Sequence, residues 1–187
     1  MKRKKPAEHK SAYHEAAHAV VCLTLGQTFK CIRLRLEARP APRWNPEARA
    51  ESRGQFVPTD ETIYQSGAAT EALINLAGIV FEKTWHPRKT WLQVHLEQDT
   101  DARIAAKMCR YYITGDLSNG NGITRAQQIE CSSLQQRLTR EAGKIIRERW
   151  DDIERVGTVL AERGELTQIQ VEGIIGAAHK TADSVDR

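Results

Sequence analysis

The chain has 187 residues, of which 40% are hydrophobic and 28% charged, and its formal net charge is +4. This length allows one good hydrophobic core and is short for two, so we expect one compact domain. Basic and acidic residues are interspersed, which argues against nucleic-acid binding, and no apolar run approaches the roughly eighteen residues of a membrane helix. Because the N-terminus also lacks a signal-peptide pattern, we expect a soluble, cytoplasmic protein with no nucleic-acid or membrane partner.

The two ends of the chain differ in composition from its body. Residues 1–10 include the basic cluster KRKK, which is typical of a flexible, solvated tail. We expect the domain to cover residues 11–178, followed by a frayed tail over residues 179–187. The four cysteines are isolated from one another in the sequence, which favours buried free thiols over a zinc ribbon or a disulfide framework.

The first part of the domain predicts a helix followed by a small β hairpin. The segment SAYHEAAHAVVCLTLG begins with Ser11 as a candidate N-cap and ends at Gly26, a residue that commonly stops helices. Apolar residues then alternate with arginines over residues 32–36, which indicates a half-buried strand. A proline-rich loop over residues 39–53 leads to a second short strand around residues 54–57.

The middle of the chain predicts two further helices. Apolar residues recur on one face over residues 60–85, and the dipeptide His86-Pro87 ends this helix. Residues 90–97 are ambiguous. Residues 99–114 predict a helix whose acidic start suits the positive end of the helix dipole, and a glycine- and asparagine-rich loop follows it.

The C-terminal part is predicted to be helical throughout. Apolar residues recur at steps of three and four from Leu134 to Leu160, and Gly164 closes this long helix. A last helix begins after Thr167, with Gln170 completing a capping box. The expected fold is therefore mainly α (α+β): a helical domain with a small β hairpin after the first helix and a long C-terminal helical hairpin.

The first predicted helix contains His14-Glu15-Ala16-Ala17-His18, which fits the zinc pattern H-E-x-x-H. Histidines four residues apart share a helix face, with β-carbons about 5 to 6 Å apart, so both imidazoles can bind one zinc ion. Glu15 is offset by about 100°, so it would reach a water on the open side of the metal instead of the metal itself. The alternative is a metal-free, exposed helix face. The surrounding alanines and valines argue against it, because they predict a buried helix in which unpartnered imidazoles are costly.

A third protein ligand is needed, and the residues alone leave its identity open. A histidine at the metzincin spacing is absent, because Thr24 occupies that position. Asp99 and Asp101 are favoured, because they begin a helix whose alanines would let it pack closely against the zinc helix. Less favoured candidates are two glutamates of the preceding predicted helix and two histidines beyond it: Glu71, Glu82, His86 and His95.

Two segments resemble the peptidase domain of the FtsH family of ATP-dependent zinc metalloproteases. Residues 12–21, AYHEAAHAVV, are similar to the zinc helix of that family, AYHEAGHAVV, with Ala17 in place of glycine. Alanine is at least as good in a helix, so this departure leaves the site intact. Residues 76–82, LAGIVFE, resemble the family segment LAGRAAEE, with Ile79 in place of the arginine.

The resemblance continues to about residue 176 and implies a specific third ligand. Residues 100–102 resemble the start of the helix that carries the third zinc ligand of the family, and this register implies Asp101. Residues 160–167 are similar to the closing part of the family's peptidase domain. The chain contains no phosphate loop and is too short for an added ATPase domain, so the resemblance is to a peptidase domain standing alone, without the ATPase domain or membrane helices.

These patterns predict a zinc-dependent endopeptidase of the H-E-x-x-H type, acting on unfolded or flexible protein substrates. His14, His18 and Asp101 are the predicted zinc ligands, and Glu15 is the predicted general base. The alternative is a non-catalytic or regulated partner or adaptor protein that works with a separate ATPase. The expected partners are a protein or peptide substrate and a separate ATPase or regulator. A homo-oligomer is also implied, since the family's peptidase domains form hexameric rings.

Overall fold

The computed structural model describes residues 10–37, 51–58, 67–97, 99–117 and 122–185. This part of the chain is mainly helical and includes a small antiparallel sheet, which confirms the predicted fold class. In chain order its elements are α1 Lys10–Thr24, β1 Phe29–Glu37, β2 Glu51–Pro58, α2 Ala68–Trp85, α3 Trp91–Glu97, α4 Asp99–Thr114, α5 Arg125–Glu148, α6 Trp150–Arg163, β3 Glu165–Thr167 and α7 Gln168–Val185.

Helix α1 lies at the centre of the fold, and every residue from Ala12 to Cys22 is buried. It packs against α2 on one side, α6 on another and the sheet on a third. Its many alanines make this possible, because small side chains let neighbouring elements approach the helix axis closely. The helix ends before Gly26, whose φ of 69° lies in the left-handed region, as the sequence predicts. Both histidines and Glu15 are therefore carried into the core.

The sheet has the strand order β2-β1-β3. Strands β1 and β2 pair antiparallel, with Ile32 opposite Phe56, which confirms the predicted hairpin. Strand β3 pairs with the other side of β1, where Leu166 lies opposite Ile32. The sequence did not predict β3, because three residues are too few to show a period of two. Of the predicted loop, the last three residues belong to β2, and residues 39–50 lie outside the described part of the chain.

Helices α2, α3 and α4 pack against one another, and α2 also packs against α1. Helix α2 ends at Trp85, before His86-Pro87, as predicted. Its predicted start near residue 60 lies outside the described residues, and the described helix begins at Ala68. Of the ambiguous residues 90–97, Trp91–Glu97 form α3, and α4 has the bounds predicted for it.

The prediction of one long C-terminal helix is wrong in one respect, because the helix is broken at Arg149. This residue has φ −110° and ψ 20°, outside helical values, and it separates α5 from α6. The break lets α5 pack against α2 and α4 while α6 packs against α1. Gly164 ends α6 with a φ of 79°, as predicted. The predicted capping box is present too: the N–H of Thr167 donates to Oε1 of Gln170 at 2.8 Å, and the N–H of Gln170 donates to Oγ1 of Thr167 at 3.4 Å.

The described helices include none that is long and apolar enough to cross a membrane. All four cysteines are free, and Cys22 and Cys109 are buried. Helical backbone in α7 continues to Val185, within the predicted tail over residues 179–187. Of the predicted N-terminal tail, residues 1–9 lie outside the described part of the chain.

Candidate metal centre

Three side chains from two helices bring their ligand atoms together in the core. His14 and His18 lie one turn apart on α1, and Asp101 lies in the first turn of α4. Nε2 of His14 is 3.0 Å from Nε2 of His18 and 2.9 Å from Oδ2 of Asp101. Nε2 of His18 is 3.4 Å from the same Oδ2. Within the described ranges, this is the one group of His, Cys, Asp and Glu side chains whose ligand atoms converge in this way.

The triangle formed by these atoms has the size of a zinc site. In a tetrahedral zinc site with bonds of about 2.0 to 2.1 Å, neighbouring ligand atoms lie about 3.3 Å apart. The three observed separations of 2.9, 3.0 and 3.4 Å are close to that value. One face of a zinc tetrahedron therefore fits these three atoms with small adjustments.

The surroundings of the two histidines direct their Nε2 atoms at this triangle. Nδ1 of His18 donates to the main-chain oxygen of Ile74 at 2.7 Å, so in the neutral ring Nε2 carries the lone pair. Nδ1 of His14 has no hydrogen-bond partner among the described residues, but the carboxylate of Glu82 lies 3.8 Å away, and its negative charge favours a proton on this nitrogen. Two lone pairs and a carboxylate oxygen then face one another inside the core. Such an arrangement requires a metal ion or a proton between the three atoms.

The pKa shifts of His18 and Asp101 indicate which group carries the proton when no metal lies between the three atoms. Burial lowers the pKa of His18, but the hydrogen bond and negative charge of Asp101 outweigh it and raise this pKa to about 9. Burial raises the pKa of Asp101, but its hydrogen bonds to His14 and His18 outweigh burial and hold this pKa well below its usual range. Without a metal, the site is therefore an imidazolium–carboxylate pair, in which a proton occupies the position of a cation.

Glu15 lies beside the triangle without belonging to it. Its side chain is 6% exposed, and burial raises its pKa. The charges of His14 and His18 lower this pKa, the charge of Asp101 raises it, and a hydrogen bond from the main chain of Phe56 lowers it. Phe56 belongs to β2, at an edge of the sheet. A buried carboxylate with a raised pKa, next to a potential metal, has the properties of a general base.

Glu82 supports His14 from behind. It is 2% exposed, its Oε1 faces Nδ1 of His14, and its Oε2 is 3.0 Å from Nζ of Lys10. The sequence offered Glu82 as a candidate ligand. Its carboxylate faces the ring nitrogen that points away from the triangle, so it is placed to orient His14 instead of binding the same metal.

The remaining candidate ligands do not join the triangle. Glu71 belongs to α2 but lies outside the convergent group, and His86 is the C-cap residue of α2. The side chains of His95 and Asp99 lie outside the described part of the structure. Of the candidates with described side chains, Asp101 is the residue that meets the two histidines.

Two residues near the site were not anticipated from the sequence. Lys10 was assigned to the flexible tail, yet it begins α1 and reaches Glu82. Phe56 lies 42 positions after His14 along the chain, and its ring centroid is 5.8 Å from that of His18. No local pattern marks either contact, because both depend on how the sheet and α2 pack against α1.

Comparison with known proteins adds no assignment. No protein-family model matches the chain, and no curated protein matches it significantly. The similarity to the FtsH family thus stays a prediction from the motifs, and the geometry of the site is the main basis for a functional proposal.

Proposed function

We propose that this chain is a zinc-dependent endopeptidase that hydrolyses peptide bonds of unfolded or flexible protein substrates. The observation that carries the proposal is the convergence of His14, His18 and Asp101 on one point in the core, with Glu15 beside them. The H-E-x-x-H spacing and the resemblance to the FtsH peptidase domain support the same activity.

The ligand set suits zinc more than the other common metals. Two imidazoles and one carboxylate are borderline ligands of the kind found in catalytic zinc sites, where three protein groups leave one position open. When bound, zinc supplies Lewis acidity, which acidifies water and polarises the carbonyl of the scissile peptide bond. His14 and His18 hold their lone pairs toward the site through the tautomers described above.

Glu15 performs the proton transfers of the proposed reaction. Its carboxylate accepts a proton from the attacking water as the water oxygen bonds to the carbonyl carbon. The C–N bond then breaks, and Glu15 donates that proton to the departing amine nitrogen. Burial suits both steps, because it raises the proton affinity of the carboxylate. The hydrogen bond from the main chain of Phe56 restrains the side chain of Glu15 between the two proton transfers.

The position of β2 favours extended substrates. This strand lies at an edge of the sheet, and Phe56 on it contacts both Glu15 and His18. An extended peptide can add to such an edge by main-chain hydrogen bonds, which would bring a carbonyl close to Glu15. Folded proteins offer few extended segments, so the proposed substrates are unfolded or flexible.

The test compares the wild type with Glu15→Gln on a fluorescently labelled casein, an unfolded protein, with measured zinc content. The wild type should bind one zinc and cleave casein, and removal of zinc by a chelator should stop cleavage. Glu15→Gln should keep the zinc and lose activity by about 100-fold or more, because only the base is changed. Equal cleavage by both proteins would contradict the role of Glu15.

The same experiment separates the proposal from its alternative. Zinc binding without cleavage of casein by the wild type would favour a non-catalytic or regulated partner of a separate ATPase.

A cytoplasmic location and self-assembly belong to the proposal as well. The four free thiols suit a reducing compartment, and sedimentation of the purified protein would establish its oligomeric state.

A further inference from the structure

A glycine of α2 lies directly against the two imidazoles of the proposed zinc site. A β-carbon built on Gly78 would be 2.3 Å from Cε1 and 2.4 Å from Nε2 of His14, and 2.5 Å from Nε2 of His18. These distances are far inside van der Waals contact. The atoms involved include both nitrogens that face Asp101, so any side chain at this position would occupy the space next to the ligand atoms.

The imidazole of His18 cannot easily move away from such a side chain. Its Nδ1 is bonded to the main-chain oxygen of Ile74, and α-helical bonding directs the N–H of Gly78 to the same oxygen. The turn of α2 that holds the ring is therefore the turn that would collide with it. Both rings are also buried among close-packed neighbours, which limits how far they can turn away.

A glycine at this position opposes the usual preference of a helix. Glycine in a helix interior is less favourable than alanine by about 1 kcal/mol. Gly78 lies well inside the 18-residue helix α2, between the buried residues Ala77 and Ile79. Close approach of the imidazoles accounts for a residue that helix propensity alone disfavours.

We infer that Gly78 is a positioning residue of the metal centre, whose missing side chain makes the space in which His14 and His18 meet Asp101. This inference rests on the proposed zinc site for its effect on metal binding. Its steric part does not depend on zinc, because it concerns the contact between α2 and the two rings. The two parts can therefore fail separately.

The first measurement is zinc affinity, determined by competition with a chromophoric chelator. Gly78→Ala should lower the affinity by about 100-fold or more, since displaced imidazoles no longer converge. The matched control is Gly143→Ala in α5, a buried helical glycine whose β-carbon would meet Nη1 of Arg147 at 3.4 Å and Cγ1 of Val80 at 3.6 Å. The control should bind zinc as the wild type does. Unchanged affinity in Gly78→Ala would overturn the inference.

The second measurement covers the case in which Gly78→Ala does not fold. The same substitution is made in a protein that carries His14→Ala and His18→Ala, and thermal unfolding of all four metal-free proteins is compared. Without the imidazoles, Gly78→Ala should leave the melting temperature unchanged or raise it, because alanine favours the helix. An equal loss of stability in both backgrounds would show that Gly78 serves other contacts, and would overturn the inference. If the wild type binds no zinc, the zinc proposal fails, while this comparison still decides the steric role.

Discussion

The ring of His18 donates from Nδ1 to the main-chain oxygen of Ile74, across 2.7 Å. A main-chain atom of α2 thereby determines which nitrogen of a residue on α1 is available to a metal. Because the carbonyl cannot be removed by substitution, this restraint is insensitive to the side chain at position 74. Helix α1 thus depends on α2 for the orientation of the His18 ring as well as for burial.

Asp101 is predicted to be essential for zinc binding. Asp101→Asn keeps the size of the side chain but removes the negative charge that faces both imidazoles. Zinc affinity should fall by about 100-fold or more, with secondary structure retained. The control is Asp151→Asn, which changes an exposed acidic residue in the first turn of α6. This variant should bind zinc as the wild type does. Wild-type affinity in Asp101→Asn would mean that a different residue completes the site.

Glu82 is predicted to strengthen zinc binding through His14. Glu82→Gln removes the charge that faces Nδ1 of His14 and should weaken zinc binding by about 10- to 100-fold. Lys10→Met removes the ion pair on the other side of the same carboxylate and should have a smaller effect, since the side chain of Lys10 is 33% exposed. Chelator competition measures both. A larger loss in Lys10→Met than in Glu82→Gln would contradict this order.

Zinc affinity is predicted to rise with pH across the neutral range. The pKa of His18 in the metal-free protein is about 9, so below that pH zinc must displace a proton. Affinity should rise by about tenfold per pH unit between pH 7 and 8.5. Calorimetry in buffers with different ionisation enthalpies should detect the release of about one proton per zinc bound at pH 7. A pH-independent affinity would exclude the protonated pair.

The stability of the metal-free protein should fall as the pH rises, whereas its zinc affinity should rise. The folded-state pKa of His18 lies above its ordinary value of 6.5, so protonation favours the folded state. This contribution is fully present below pH 6.5 and is lost as the pH rises through about 9. Urea unfolding should therefore give a lower free energy of unfolding at pH 9.5 than at pH 7. This decrease should be smaller in Asp101→Asn, which lacks the charge that raises the pKa of His18.

Gly157 is predicted to be required for the packing of α1 on α6. A β-carbon there would be 2.4 Å from Cδ1 of Tyr13, whose ring packs at a tilt against that of Trp85 and whose hydroxyl lies 3.2 Å from Oγ1 of Thr158. Gly157→Ala should lower the free energy of unfolding by about 1 to 3 kcal/mol and change tryptophan fluorescence. Gly143→Ala, which meets no atom closer than 3.4 Å, is the control. A stabilised Gly157→Ala protein would contradict the contact.

Several features followed from the sequence by itself, because they depend on residues close together along the chain. Four-residue spacing places His14 and His18 on one face of a helix, and period and capping patterns predicted the bounds of α4 and the capping box of α7. The break at Arg149 was missed, because the apolar period continues on both sides of it.

The relations between distant elements were decided only by the tertiary structure. The residues left Asp99 and Asp101 open as third ligands, and packing of α4 against α2, which itself packs against α1, brings Asp101 to the histidines. The same packing turns Glu82 toward the far nitrogen of His14 and sets the main chain of Gly78 against both rings. Periodicity determines which face of an element is buried, but the distance and rotation between elements depend on how all their side chains fill the shared core.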